Sequence, residues 1–157
     1  ERGKSVVGAN CLLMAYAHVA HDCCVGDHVI LANCVQVAGH VDIEDHAIIG
    51  GLTGIHQFAR IGQHAMVGGG FRVHKDVPPY ILAMGEPLQY GGINSVGLRR
   101  RGFSAESMSA MKKAYRFIYR SRLNVSQAVE MIKAGMPETP EIVNILAFIA
   151  KAERGLI

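Results

Sequence analysis

The sequence predicts a mainly β fold, a parallel β-helix of hexapeptide repeats, followed by a C-terminal α-helical domain. Three observations predict it: an unbroken six-residue hydrophobic period, a proline pair where that period ends, and helical periodicity beyond it. Stepping by six from Val7 gives Leu13, Val19, Val25, Leu31, Val37, Ile43, Ile49, Ile55, Ile61, Val67 and Val73, aliphatic at every step. Four positions after each lies a second small or apolar residue, from Cys11, Ala17 and Cys23 through to Phe71 and Val77. Six is neither the helical period nor that of one strand, but it fits a short strand plus a turn, repeated. Strand alternation then turns both residues inward. Gly8, Gly26, Gly50, Gly62 and Gly68 follow aliphatic positions directly and are expected in turn conformations of the backbone that favour a residue without a Cβ.

The repeat ends at "DVPPYILAMG", where Pro78 and Pro79 are expected to prevent further strand pairing. This divides the chain into a repeat domain, 1–78, and a loop plus helical domain, 79–157. Ser104 suits the N-cap of a helix to about Ser121, with Met108, Met111, Tyr115 and Ile118 on one face. Asn124 and Gln127 have the spacing of a capping box for a helix ending near Gly135. Thr139 before Pro140 opens a third, with Ile142, Ile145, Leu146 and Ile149 apolar. Such a tail can cover an open end or flank of the solenoid.

A chain of 157 residues, half of them apolar and 18% charged, can bury a core without disulfides. No apolar run approaches the roughly 20 residues that span a bilayer. No secretion signal is visible. The expectation is therefore a cytoplasmic protein whose four cysteines stay reduced, with no transmembrane segment. The chain starts at Glu1, in mid-pattern, as expected of a portion of a longer protein. Eight of the sixteen Lys and Arg residues lie between Arg99 and Arg122, against one acid, Glu106. An acidic protein or a phosphate-bearing ligand fits this run better than nucleic acid, because no interleaved aromatic platform accompanies it. A solvated helix face is the other reading of Lys112 to Arg122.

The stretch "AHVAHDCCVG" puts His18, His21 and Asp22 within five positions. His21 has solvent-facing parity, and an accessible imidazole suits a general base near neutral pH. Asp22 could orient it, as the acid of a hydrolase triad does. A surface histidine is the plain alternative. The eight histidines also raise metal binding, but a single column of side chains converges poorly on a tetrahedral centre.

"AHVAHDCCVG", "QVAGHVDIEDHAIIGGLTGIHQFARIG", "VPPYILAMGEP" and "INSVGLRRRGFS" together resemble the UDP-N-acetylglucosamine 3-O-acyltransferases of lipid A biosynthesis, within the hexapeptide transferases. The resemblance runs from Ser5 to the closing "RGLI" and looks like a C-terminal portion, with the family's N-terminal coils missing. It implies a left-handed, triangular solenoid of three hexads per coil, so that residues eighteen apart stack. His21 then stacks on Gly39 and Gln57, Asp22 on His40 and Phe58, and His28 on His46 and His64.

The implied activity is transfer of a 3-hydroxyacyl chain from acyl carrier protein to the 3-hydroxyl of UDP-N-acetylglucosamine. His21 matches the catalytic base, Asp22 its partner and Gly39 the oxyanion-stabilising backbone. His18, His40, His56 and Gln57 match positions that contact sugar nucleotide or acyl chain. Asn94 and Arg101 match the nucleotide-binding segment, and Arg100 a donor or nucleotide position. Gly69 matches a position that limits acyl length; without a side chain it implies a fairly long chain. No metal or cofactor is implied beyond the carrier's phosphopantetheine arm. The family is a homotrimer with active sites between subunits, and the basic tail would steer the acidic carrier. Val96 and Pro87 stand where better-known members carry a glutamate and a histidine. The enzymatic alternative is the related N-acyltransferase of the same pathway; the others are a metal-binding or a purely structural solenoid.

Overall fold

A computed structural model describes residues 2–157. Twelve two-residue strands follow the six-residue period: β1 (Val6–Val7), β2 (Leu12–Leu13), β3 (His18–Val19), β4 (Cys24–Val25), β5 (Ile30–Leu31), β6 (Gln36–Val37), β7 (Asp42–Ile43), β8 (Ile48–Ile49), β9 (Gly54–Ile55), β10 (Arg60–Ile61), β11 (Met66–Val67) and β12 (Arg72–Val73). Every third strand pairs in parallel, with Val6 on Cys24, Leu12 on Ile30 and His18 on Gln36. The register of 18 makes a β-solenoid of about four turns with three flat faces. Face A carries β1, β4, β7 and β10; face B carries β2, β5, β8 and β11; face C carries β3, β6, β9 and β12. The second residue of each strand from β4 to β12 points inward and is buried. Val29, Val35, Val41, Ala47, Thr53, Ala59 and Ala65 fill the spaces between.

The corners correct the expectation for glycine. None of Gly8, Gly26, Gly50, Gly62 and Gly68 has a left-handed backbone. A Cβ there would instead collide with a neighbour, with Asp45 of the next coil at Gly26, with Pro79 at Gly62 and with the Phe71 ring at Gly68. Positive φ falls on the last corner residue, three positions beyond the aliphatic: Asn10, Asp22, His28, His40, His46 and His64 among others, all between 56° and 63°. A non-glycine residue in that region costs on the order of 1 kcal/mol. A hydrogen bond to the preceding coil offsets it, as from His46 N–H to the Asp27 carbonyl at 2.8 Å and from His40 N–H to the His21 carbonyl at 3.1 Å.

The proline pair does not stop the pairing, contrary to the sequence expectation. β13 (Ile81–Met84) continues face B, with Met66 opposite Leu82, and β14 (Gln89–Ile93) pairs antiparallel beside it. Pro78 and Pro79 occupy a corner. Val77 bridges Ile61, and Tyr80 takes the left-handed φ of 65° and donates its N–H to the Gln63 carbonyl. The backbone bonds that join this corner to the coil below are made by Val77 and Tyr80, so the amides that the two prolines lack are not called on there.

Four helices follow: α1 (Ser95–Arg100), α2 (Ala105–Tyr119), α3 (Val125–Gly135) and α4 (Pro140–Ala150). Ser104 and Thr139 cap α2 and α4, and Asn124 and Gln127 form the reciprocal capping box of α3. The six-residue α1, with a glycine inside it, had no legible apolar period. Tyr115 of α2 is fully buried and donates its hydroxyl to the Pro79 carbonyl at 2.6 Å, pinning the helices to the proline corner. The last residues return to the solenoid. Asp76, buried on face A, receives the Arg60 N–H on Oδ1 at 2.8 Å, while its backbone bonds Gly155 and Ile157. Among the described residues no helix is long and apolar enough to cross a membrane, and all four cysteines are free thiols.

Candidate active site

The corner between faces C and A carries the chemistry. Residue 21 precedes the left-handed corner position and so projects outward, leaving the His21 side chain 72% exposed. Asp22, at the left-handed position, folds back and is only 8% exposed. Its Oδ2 lies 2.9 Å from His21 Nδ1, and its Oδ1 accepts the Gly3 N–H at 2.6 Å. The hydrogen bond to His21, followed by those from the Gly3 and Arg2 region, holds the Asp22 carboxyl below its ordinary pKa despite the opposing effect of burial. The imidazole is therefore held by Nδ1, and Nε2 is left facing outward to exchange a proton.

One coil above, Gly39 lies directly against the ring. A Cβ built there would sit 2.7 Å from His21 Cε1 and 2.8 Å from Nε2. Its N–H has no acceptor among the described residues. Amides at the equivalent position of other corners do: those of Gly3, Ala9, Asp27 and Gln63 each donate to a carboxylate oxygen, at 2.6 to 2.9 Å. This class of amide takes an anionic oxygen wherever the sequence supplies one. At Gly39 the place is open.

His40 stands beside the pair, its Nε2 3.9 Å from Asp22 Oδ2 and its ring edge-on to His21 at 5.0 Å. Phe58 stacks on the far side of His40 at 4.7 Å. Gln57 is exposed on the next coil, its carbonyl 3.1 Å from His56 Nδ1. His21, Asp22 and His40 bring ligand atoms within 4.8 Å of one another, but both Asp22 oxygens already accept hydrogen bonds. On the adjoining face C, His18, Gln36, Gly54, His56 and Arg72 line a largely apolar cleft of about 460 Å³. Gly54 and Arg72 carried no separate sequence signal beyond their shared column with Gln36. The floor at Gly54 is open, with no atom within 4 Å of where its Cβ would be.

Seven expected site residues thus gather at this corner and its adjoining face, and four do not. Asn94 is buried at the corner between faces A and B, where its Oδ1 caps α1 through the Gly97 N–H at 3.1 Å and its Nδ2 donates to the His64 carbonyl. Both ends of that amide are occupied by the fold. Arg101, half-buried after α1, is near enough for its charge to hold His46 and His64 down in pKa, and Arg100 is exposed beside it. Gly69 lies at the third corner, stacked on Gly51, where a Cβ would meet the Gly51 carbonyl oxygen at 3.0 Å.

Comparison with known proteins gives this geometry a family. Residues 76–157 match the family described as UDP N-acetylglucosamine O-acyltransferase, domain 2, and residues 4–39 match the bacterial transferase hexapeptide, six repeats. An acyl-[acyl-carrier-protein]--UDP-N-acetylglucosamine O-acyltransferase of Tolumonas auensis is 54% identical over 157 residues, all of this chain and 60% of that protein. One from Thermodesulfovibrio yellowstonii is 48% identical over 98% of this chain and 60% of its own length. The UDP-N-acetylglucosamine O-acyltransferase structure from Moraxella catarrhalis superposes with a TM-score of 0.95 at 41% identity, covering 100% of this chain and 61% of that one. The Bacteroides fragilis UDP-N-acetylglucosamine acyltransferase gives 0.92 at 48% identity, covering 94% and 58%. The chain spans about 60% of the length of the curated relatives it matches. With the family profile over more than half its length and relatives this similar, the chain belongs to the UDP-N-acetylglucosamine O-acyltransferase family.

Proposed function

We propose that the protein transfers a 3-hydroxyacyl chain from acyl carrier protein to the 3-hydroxyl of UDP-N-acetylglucosamine, with His21 as general base. The observation that carries this reading is the His21–Asp22 pair set against the free Gly39 amide. His21 Nε2 takes the proton of the sugar hydroxyl while Asp22 fixes the tautomer and stabilises the imidazolium. The hydroxyl oxygen attacks the thioester carbonyl, and the Gly39 N–H receives the oxyanion. Collapse of the tetrahedral intermediate expels the carrier thiolate, which takes the proton back from His21. Every proton is accounted for by His21, so no metal or cofactor enters. The cleft on face C takes the acyl chain, His18, His40, His56 and Gln57 hold the sugar and the chain's first atoms, and Gly69 leaves the far end open to long chains.

Arg100 and Arg101, with Asn94 positioning their helix, lie a full corner away from His21. The family resemblance implies a left-handed solenoid and a homotrimer, and the separation fits a trimer in which one subunit's arginines serve its neighbour's base. The outer side of face B supplies an apolar column for such an interface, Leu12, Ile30, Ile48 and Met66. The basic run from Arg99 to Arg122 suits the acidic carrier protein, in the cytoplasm.

The test is acyl transfer to UDP-N-acetylglucosamine from a set of 3-hydroxyacyl carrier proteins, with the protein as its gene encodes it, after chelation. His21→Ala is expected to lower kcat by about 10²- to 10⁴-fold with the melting transition unchanged. Full transfer without His21 would remove it as the base.

A further inference from the structure

A second histidine cluster, outside the reaction just described, occupies the corner between faces A and B. His28, His46 and His64 stack ring on ring, at 4.7 Å and 3° and then at 4.6 Å and 11°. Tyr80 continues the column at 5.7 Å, and Phe103 closes on His64 edge-on at 5.0 Å. The inner end is sealed, with His64 only 9% exposed and its Nδ1 without a partner. The outer end is open. His28 is exposed, His46 is half-buried, and neither ring makes a hydrogen bond among the described residues.

Nearby acids do not answer these donors. Asp45 Oδ1 accepts the Asp27 N–H at 2.8 Å, and Asp27 Oδ1 accepts the Ala9 N–H at 2.6 Å, so both carboxylates bond to corner amides. The Arg101 charge reaches the same corner, where it acts on both His46 and His64. Two ring edges one coil apart and a guanidinium make a set of donors without a committed acceptor. Parallel rings 4.7 Å apart cannot turn their nitrogens onto one metal ion. They can each address a different phosphate of one ligand.

We propose that His28 and His46, together with Arg101, form the wall that holds the diphosphate of the nucleotide sugar. This rests on the reading of the protein as a UDP-sugar acyltransferase and extends it to two residues that the family resemblance does not assign. The electrostatics support it. His46 is held below its ordinary pKa by desolvation, then by Arg101 and His28, with Asp45 and Asp27 opposing. A bound diphosphate neutralises the Arg101 and His28 contributions, so His46 takes up a proton as the ligand binds. His64, pushed down to about 4, stays neutral throughout.

The experiment is calorimetric titration of UDP and of uridine at pH 6.5 in buffers of different ionisation enthalpy. It is paired with acyl-transfer kinetics on the gene-encoded protein. The column accepts asparagine at its left-handed corner, as Asn10 shows one coil below, so His28→Asn/His46→Asn keeps the backbone. The exposed His28→Asn alone is the check against a folding defect. Net of the proton that the terminal phosphate of UDP releases, wild type is expected to take up protons on binding UDP and none on binding uridine. The double variant is expected to lose that uptake, bind UDP about tenfold more weakly and raise KM for UDP-N-acetylglucosamine by a like factor, with kcat retained. The single variant shifts in the same direction by less. Unchanged UDP affinity and proton uptake in the variants, beside an active wild type, would overturn the wall and leave the acyltransferase reading standing. A wild type that neither binds UDP nor transfers acyl groups would overturn both.

Discussion

Gly39→Ala separates catalysis from folding at a single methyl group. The added Cβ would stand 2.7 and 2.8 Å from His21 Cε1 and Nε2. Carbon contacts relax at about 3.5–4.0 Å, so the ring must move by on the order of 1 Å. It can do so, because its side chain is 72% exposed and is held only by the 2.9 Å bond to Asp22. The movement swings Nε2 away from the attacking hydroxyl and crowds the amide that receives the oxyanion. A displacement of that size costs about 10²-fold in kcat. The backbone at Gly39 is not left-handed, so alanine is not strained there, and the unfolded chain loses freedom worth about 0.4–1 kcal/mol. Steady-state acyl transfer and a thermal melt, run on the same preparation, are expected to diverge: kcat falls and Tm holds or rises slightly. A kcat within about a factor of two of wild type would show that His21 does not work in the position described, and would refute the proposed base.

Two further expectations follow from the geometry. Gly54 floors the face C cleft with open space above it, so Gly54→Leu fills that space without disturbing the coil; with mixed donors, product analysis is expected to show a preference for shorter acyl chains, and an unchanged product distribution would place the acyl chain elsewhere. His64 is pushed down to about 4 by burial, then by His46 and Arg101. Its folded pKa lies below the unfolded value, so the stability it contributes is complete above about pH 6.5 and is lost as pH falls towards 4. His64→Phe, which keeps the stacking and has a left-handed phenylalanine precedent in Phe58, is expected to flatten the loss of Tm across that window. A pH–Tm curve parallel to wild type would count against it.

The core was legible because each inward position recurs at six and admits only aliphatic or small side chains, as at Leu31, Ile49 and Val67. The His21 corner was legible once the family resemblance supplied three hexads per coil, since that register carries Gly39 and His40 onto His21 and Asp22. Where periodicity gave way to local chemistry, less could be read. Pro78 and Pro79 suggested an end to pairing because a proline's missing amide matters only if a neighbour needs it, and whether one does is a property of the assembled coil. The β13–β14 hairpin and α1 went unseen behind them. Asn94 could be placed near the nucleotide by resemblance, but that its amide caps α1 and grips the His64 carbonyl depends on packing between distant segments. A stacking map relates residues within one corner; it says nothing of the distance between corners.

The register of eighteen residues has a consequence for how such a protein can change in length. An insertion or deletion of six or twelve residues keeps the inward positions but moves every later residue to a different face, and one that is not a multiple of six also turns aliphatic side chains outward. Whole coils are the unit of growth, and even that unit is not free near the corner of faces C and A. Excising the single coil that contains Gly39 would bring Gln57 down over His21, with a side chain in the space where the amide now lies bare. Lineages descended from this chain can therefore gain or lose turns above Gln57 or below His21, while the three coils between them are bound to travel as one inherited block.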